Sequence, residues 1–416
     1  RLAKIKGFVS EMGVQTVLCR HQNSDKSDEF WNSLLTSKNN ELPRTTIDQD
    51  SDFAVMYTSG STGHPKGVVM THRGAISTLM SWHFGLRVLD VMGLGPVPYV
   101  DKNNQPYQPC QLVSVPFFHV SGTHGGLLLA LWSGTKLVIM KKWDPPEAVR
   151  LIELEKVSRF GGVPTMAAEI LGEAKKVGAK LESIRLIDTG GAARPADQAR
   201  EMAESIPNVL TGTSYGMTET NALGIAIRGK EYLENPEVTG RLIAPLAEMR
   251  IVDEFDNDVE IGDVGELVLK SAANMRCYLN KDAETSEVLK DGWLYTGDLA
   301  KIDKNELITL VDRKKNIIIR GGENISAQEV QTVILEHPDV IEAAIFALPN
   351  ERLGEIVGAC VFCGETSNAD EDSLKEFLRK SLAAYKIPEH IWFKKKPLPR
   401  VASEKIDVEA LKKEYS

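Results

Sequence analysis

Tyr57-Thr58-Ser59-Gly60-Ser61-Thr62-Gly63-His64-Pro65-Lys66-Gly67 places four aliphatic hydroxyls, three glycines and one lysine within eleven residues. Glycines let a backbone fold back and bring N–H groups close to an anion. The hydroxyls add donors, and the lysine adds a mobile positive charge. Together they read as a loop that wraps a polyphosphate. It is not the G-x-x-x-x-G-K-[ST] loop, because Lys66 precedes Gly67 and no Ser or Thr follows. A mobile Gly/Ser linker would share the composition. Linkers, however, rarely have an apolar run such as Phe53–Tyr57 before them and Pro-Lys-Gly-Val-Val-Met after them. Cys360-Val361-Phe362-Cys363 has the spacing of a metal or redox pair but lies in an apolar, strand-like run. Residues three apart on a strand face opposite sides, so a core role is expected.

The elements that must position such a loop follow from periodicity and punctuation. A strand is expected over Phe53–Tyr57 and a helix from His72. Residues 20–51 read as a polar loop with one short helix near Phe30–Leu35, and residues 90–110 as an irregular excursion. Strands are then expected at 111–115, 136–140, 159–163, 184–189 and 209–213, with helices at 145–156, 164–176 and 196–205 between them. This is the rhythm of a mostly parallel, covered sheet. Ligands on such sheets sit at the carboxyl ends of strands. Three Gly-containing turns fall there: Gly161–Thr165, Thr189–Ala192 and Thr213–Glu219. After Gly240 the texture changes to a small β subdomain. Beyond the charged run Asp312–Asn316 lies an α+β unit of about 100 residues. Its first helix is expected from a capping box at Ser326-Ala327-Gln328-Glu329.

Bulk properties narrow the classes. The chain has 416 residues, enough for two or three domains. Hydrophobic residues are 42% and charged residues 26%, ordinary for a soluble globular protein. A net charge of −9 argues against a general nucleic-acid surface. Five cysteines do not make a disulfide scaffold, so a reducing, cytoplasmic setting is expected. No run approaches about 18 consecutive apolar residues, so no membrane span is expected. The chain opens at Arg1 with a helix-like stretch (Leu2–Val9) and a strand-like one (Val14–Cys19), as if in the middle of a domain.

The Tyr57–Gly67 stretch resembles the signature loop of the adenylate-forming, AMP-binding superfamily, roughly [YF]-T-S-G-[ST]-T-G-x-P-K-G, at every specified position. The resemblance runs from about residue 50 to the C-terminus and is closest to the acyl-CoA synthetase and fatty-acid–CoA ligase branch. It implies an α/β architecture: a large N-terminal AMP-binding domain (1–312, incomplete at its start) and a mobile C-terminal α+β domain (313–416) hinged at Lys315.

The resemblance also implies roles. Thr58, Ser59, Gly60, Ser61, Thr62, Gly63 and Lys66 would hold the ATP phosphates. Pro116-Phe117-Phe118-His119-Val120-Ser121-Gly122 looks like a family segment whose histidine lines the acid pocket, so His119 takes that role; for the residue alone, a packed histidine at a strand end is the alternative. Gly190, Gly191, Ala192, Thr213 and Gly216 match nucleotide-contacting turns. Tyr215 would lie against the adenine, Thr218 would donate to the α-phosphate, and Glu219 would hold Mg²⁺, which prefers carboxylate oxygen. Asp298 would accept from the ribose hydroxyls, and Arg313 would reach ribose or phosphate. Gly321, Gly322 and Glu323 resemble a loop lining the pantetheine tunnel of CoA ligases. Lys405 would bridge the substrate carboxylate and the α-phosphate. Glu404 stands where the family has glycine. Two unit charges at 4 Å are worth about 4 kcal/mol at an effective dielectric near 20, so a Glu404 facing the nucleotide would slow adenylation; one residue along the chain usually means a different direction, so Glu404 is expected to face solvent.

The implied function is an AMP-forming acid–thiol ligase using ATP, Mg²⁺ and coenzyme A. The expected acid is a medium- or long-chain fatty acid, because Ser121, Gly122, Gly125 and Gly126 are small. An aryl-CoA ligase or another adenylate-forming enzyme remains open. So, from a different class, does a non-catalytic nucleotide- or acyl-binding fragment. A homodimer is also left open.

Overall fold

The computed structural model describes residues 45–58, 65–190, 196–364, 367, 369–401 and 405–415. Val14–Cys19, Phe30–Leu35, Ser59–Gly63, Gly191, Ala192 and Glu404 lie outside the described residues. The chain falls into two compact units, Arg1–Asp48 and Gln49–Ser416, and every element below belongs to the second.

The stretch between Thr58 and Lys66 joins two paired strands. β1 (Asp52–Thr58) runs antiparallel to β2 (Lys66–Thr71), with Thr58 opposite Lys66. The sequence reading placed a strand only before the loop. The structure continues Lys66 into a second one, whose Val68, Val69 and Met70 are fully buried. Three consecutive apolar residues carry no alternation, so a strand buried on both faces leaves no period to read. Thr71 then caps α1 (His72–Val91), accepting from the Gly74 N–H.

The central sheet comprises β3 (Cys110–Val113), β4 (Lys136–Ile139), β5 (Arg159–Gly162), β6 (Leu186–Gly190), β7 (Leu210–Tyr215), β8 (Ile225–Arg228) and β9 (Arg241–Leu242), in the order β4-β3-β5-β6-β7-β8-β9. The pairings from β4 through β7 are parallel, and those of β7 with β8 and β8 with β9 are antiparallel. The crossovers α2 (Pro145–Glu155), α3 (Pro164–Val177) and α4 (Ala196–Ser205) match the expected helices to within a residue. Asp144 caps α2 with Pro145 at its first position. Leu112, Phe160 and Ile187 from the strands pack with Ile152, Met166 and Met202 from the helices.

A second sheet contains β10 (Ala247–Val252) and β11 (Gly265–Ser271). The two-residue β12 (Cys277–Tyr278) leaves it and pairs back onto β2. The sheet is completed by β13 (Leu289–Lys290), β14 (Trp293–Ile302) and β15 (Ile308–Arg313). One 3₁₀ turn, Lys314–Asn316, leads on.

The last sheet holds β16 (Ile317–Arg320), β17 (Glu323–Ser326), β18 (Val340–Asn350), β19 (Gly354–Cys363) and β20 (His390–Lys394). Ile325, Val357 and Val361 pack with residues of α5 (Ala327–Leu335) and α6 (Glu371–Leu378). A separate cluster joins Phe346, Ile356 and Cys360 to Leu398 and Leu411. Cys360 and Cys363 fall on these two different clusters, and both are free thiols. Ser326 caps α5 from its hydroxyl, but Glu329 does not close the expected reciprocal box. Its carboxylate is held by the Lys386 ammonium at 2.7 Å instead.

Candidate active site

The turn after β7 is the most tightly built part of the site. A Cβ on Gly216 would stand 2.4 Å from the Ala222 carbonyl oxygen, so the chain folds back on itself only with glycine there. Thr218–Thr220 form one 3₁₀ turn, closed by bonds to the Met217 carbonyl from the N–H groups of Thr220 and Ala222. Glu219 is 7% exposed. Its Oε1 accepts from the Tyr278 hydroxyl at 2.9 Å, and its carbonyl accepts from Met275 N–H at 2.6 Å. Burial pushes the Glu219 carboxyl above its ordinary pKa, opposed by its own backbone N–H, the Tyr278 hydroxyl and Arg313.

Asn221 follows in the left-handed region (φ 51°) and is fully buried. Its Nδ2 donates to the Ala273 carbonyl at 2.7 Å, so its Oδ1 accepts from His124 Nε2 at 2.9 Å. That assigns the Nε2–H tautomer to the buried His124. Burial lowers the His124 pKa, against the contacts with Asn221 and the Val120 backbone. His124 sits in a π-helical stretch, Ser121–Leu128, of the kind that often marks functional sites. His119 lies on the turn just before it, half-buried, its N–H donating to Pro116 O. Burial and the charge of Lys405 both lower the His119 pKa.

Thr58 and Lys66 stand opposite one another where β1 ends and β2 begins. The Lys66 ammonium lies 4.8 Å from the centre of the Tyr278 ring. Gly190 ends β6 beside Ser214, and Thr213 lies on β7. Asp298 is 6% exposed and has both oxygens engaged: Oδ2 accepts from the Tyr215 hydroxyl at 2.6 Å and Oδ1 from Arg313 Nε at 3.0 Å. A carboxylate has about four acceptor positions, so capacity for a diol remains. Burial, then the Asp298 charge, raise the Tyr215 phenol pKa. Next along, Lys314 bonds Glu266 at 2.6 Å, and Glu266 also accepts from Gly297 N–H.

Lys405 is delivered by a pinned loop. Leu398 is buried and donates its N–H to Glu342, and Arg400 pairs with the same carboxylate. Val401 N–H bonds the Lys405 carbonyl at 2.9 Å, and Arg400 bridges to Ile406. Lys405 is exposed as a whole residue, while burial at its ammonium and the Arg313 charge lower its pKa, with Asp298 opposing. Gly321 and Gly322 take positive φ (60° and 90°) at the β16–β17 tip, where a side chain would be strained, and Glu323 is exposed beside them. A cavity of about 760 Å³ lies next to them, lined by Arg320, Arg352, Lys375 and Arg379 against Glu351 and Glu389.

A divalent cation fits Glu219: the carboxylate is buried, makes no salt bridge among the described residues, and accepts from the Tyr278 hydroxyl and its own backbone N–H, which leaves acceptor positions open. Among the described residues no group of three or more His, Cys, Asp or Glu could hold a metal. A single carboxylate suits Mg²⁺, which keeps waters and takes substrate phosphate oxygens. Sequence reasoning missed Tyr278, His124 and Asn221. Their partners are 59 and 97 residues away, and no local pattern joins them. No helix among the described residues is long and apolar enough to cross a membrane.

The AMP-binding enzyme family model matches residues 3–279, and the AMP-binding enzyme C-terminal domain model matches residues 329–405. A feruloyl-CoA synthase of an Amycolatopsis species is 31% identical over 372 residues, covering 89% of this chain and 72% of that protein. A long-chain-fatty-acid–CoA ligase of Bacillus subtilis is 29% identical, covering 91% of this chain and 64% of that protein. The o-succinylbenzoate CoA synthetase of Bacillus subtilis, solved with its acyl-adenylate, superposes with a TM-score of 0.78 at 26% identity, covering 99% of this chain and 81% of that one. The same synthetase has been solved with ATP and a magnesium ion.

Proposed function

The chain belongs to the AMP-binding enzyme family, and from that premise we propose that it activates a medium- or long-chain fatty acid with ATP and passes the acyl group to coenzyme A. The observation that supports this reading is that Lys405 lies within electrostatic reach of Arg313, Asp298 and His119, with Asp298 itself held by Arg313 and Tyr215.

A carboxylate oxygen attacks the α-phosphorus of ATP, the bond to pyrophosphate breaks, and an acyl-adenylate forms. The obstacle is charge, since an anion approaches a polyanion. Lys405 neutralises it at the reacting end, Lys66 and the loop donors at the far phosphates, and Thr218 at the α-phosphate. His119 lines the acid's approach, its lowered pKa keeping it neutral near pH 7. Mg²⁺, held by Glu219, would supply further charge neutralisation. In the second half-reaction the CoA sulfur attacks the acyl carbonyl and AMP leaves. The unit after residue 312 would rotate about Lys315 for this step, bringing Gly321-Gly322 to the tunnel. The arginine-rich cavity beside them suits an anionic nucleotide.

Aromatic acids are the second reading, favoured by the feruloyl-CoA synthase and the o-succinylbenzoate synthetase. The test is ATP–pyrophosphate exchange with acids from acetate to stearate beside ferulate, benzoate and o-succinylbenzoate. Fastest exchange with medium or long chains is expected. Fastest exchange with an aromatic acid would replace the fatty-acid reading, and no exchange with any acid despite ATP binding would favour a binding fragment.

A further inference from the structure

Lys66 and Glu219 are opposite charges brought to one ring without pairing. The Lys66 ammonium lies over the face of Tyr278, 4.8 Å from its centre, and the Tyr278 hydroxyl donates to Glu219 Oε1 at 2.9 Å. Among the described residues Lys66 makes no salt bridge, and neither does Glu219. The cation and the buried carboxylate meet the same tyrosine at different places, one at the ring face and one at the hydroxyl.

Its placement is fixed from several sides. Tyr278 is 6% exposed and packs with Met56, Val68, Met70 and Leu294. Its N–H bonds the Thr285 hydroxyl at 3.0 Å, Leu279 N–H bonds Gly67 O at 2.7 Å, and Tyr278 pairs with Val68 across β2 and β12. The strand that holds the tyrosine is therefore stitched to the strand that starts with Lys66. Burial, then the Glu219 charge, raise the phenol pKa far above its usual range, so the hydroxyl stays a donor.

We propose that Tyr278 is a positioning residue that keeps Lys66 and Glu219 apart and aimed, the ammonium toward the ATP phosphates and the carboxylate toward the metal. The face of the ring takes the cation and its hydroxyl takes the anion, so neither charge is spent on the other. This rests on the reading of the site as an MgATP site.

The experiment is calorimetric titration of ATP, without acid, over a series of MgCl₂ concentrations. It uses wild type, Tyr278→Phe and Tyr278→Leu of the full chain, each checked for folding by its melting transition. Tyr278→Phe keeps the ring under Lys66 and loses only the hydroxyl. It should need about tenfold more Mg²⁺ for half-maximal enhancement of ATP binding while matching wild type at saturating Mg²⁺. Tyr278→Leu should also bind ATP several-fold more weakly at saturating Mg²⁺, because Lys66 is then free to pair with Glu219. An unchanged Mg²⁺ requirement in Tyr278→Phe overturns the proposal even if Tyr278→Leu fails to fold. Equal ATP affinity of the Leu and Phe variants at saturating Mg²⁺ overturns the spacing role of the ring. Wild-type ATP binding that ignores Mg²⁺ overturns the MgATP reading itself, and the proposal with it.

Discussion

The turn Met217–Ala222 and the junction Asp312–Asn316 both hold functional charge, by opposite means. The turn is buried and tied by neutral donors: the Tyr278 hydroxyl, the Asn221 amide and the His124 imidazole. The junction is held by cations that stay in water. The side chains of Arg313 and Lys314 are 55% and 53% exposed, while the side chains of their partners Asp298 and Glu266 are each 9% exposed. Exposed cations leave a carboxylate at small cost, because water replaces the contact. A buried amide network has no such substitute. One half of the site is thus built to keep its geometry and the other to release it.

Lys405→Ala gives the largest expected effect and the sharpest test of this contrast. Acid-dependent ATP–pyrophosphate exchange should fall about 100–1000-fold, as for loss of one transition-state donor. If the unit beyond residue 312 turns away for the second half-reaction, thioester formation from supplied acyl-adenylate should stay near wild type. Equal loss in both half-reactions would mean that Lys405 belongs to the fixed half.

The fixed half is broken by Asn221→Ala. His124 Nε2–H and the Ala273 carbonyl both lose their partner, and the expected cost is about 2–4 kcal/mol in urea unfolding. A double mutant with His124→Ala should cost less than the sum of the singles, since the two share one interaction. A smaller effect comes from pH. The folded-state pKa of His124 is lowered by burial from the ordinary 6.5. Below 6.5 the unfolded chain therefore takes up a proton that the folded chain resists. Stability from this group is complete above that value and drains away as pH falls through the folded pKa. Between about pH 7.5 and about pH 5.5, wild type should lose more stability than His124→Gln, which keeps an amide donor and does not titrate.

The two halves were unequally legible. The junction could be read because its chemistry is contiguous: Tyr295–Asp298 and Asp312–Asn316 carry their charges within short runs, and the capping serine precedes an apolar helix. The α2, α3 and α4 crossovers were legible for a similar reason, with Pro or a polar cap at the start and an apolar stripe after it. Glu219 itself stood out within Tyr-Gly-Met-Thr-Glu. What holds Glu219 did not, because Tyr278 arrives on a two-residue strand that no periodicity can announce. His124 stands among small residues shortly after His119, and its pairing with Asn221, 97 residues on, leaves no local signal. Contacts closed by tertiary pairing leave no spacing in a single sequence.

Asp312 is the exception inside the releasable half, and it sets the smallest effect. It is 5% exposed, and its oxygens accept from the N–H groups of Arg313 and Gln328 and from the Ser326 hydroxyl at 2.7 Å. Ser326 also caps α5 through the Glu329 N–H. If the unit beyond residue 312 turns about Lys315, the bonds from Ser326 and Gln328 cross the pivot and must break. They therefore favour the orientation seen here, in which Lys405 is within electrostatic reach of Asp298 and Arg313. Ser326→Ala removes both the cap and one of these bonds, at a cost of about 1 kcal/mol in stability. It should lower adenylation two- to threefold or so and leave, or slightly raise, thioester formation from supplied acyl-adenylate. Ser326→Asp would keep the cap but set a second carboxylate against Asp312, so it should tilt the ratio of half-reactions further the same way while sparing the helix. A ratio unchanged in both variants would show that Asp312 only braces the fold, and the releasable half would then begin beyond it, at Arg313.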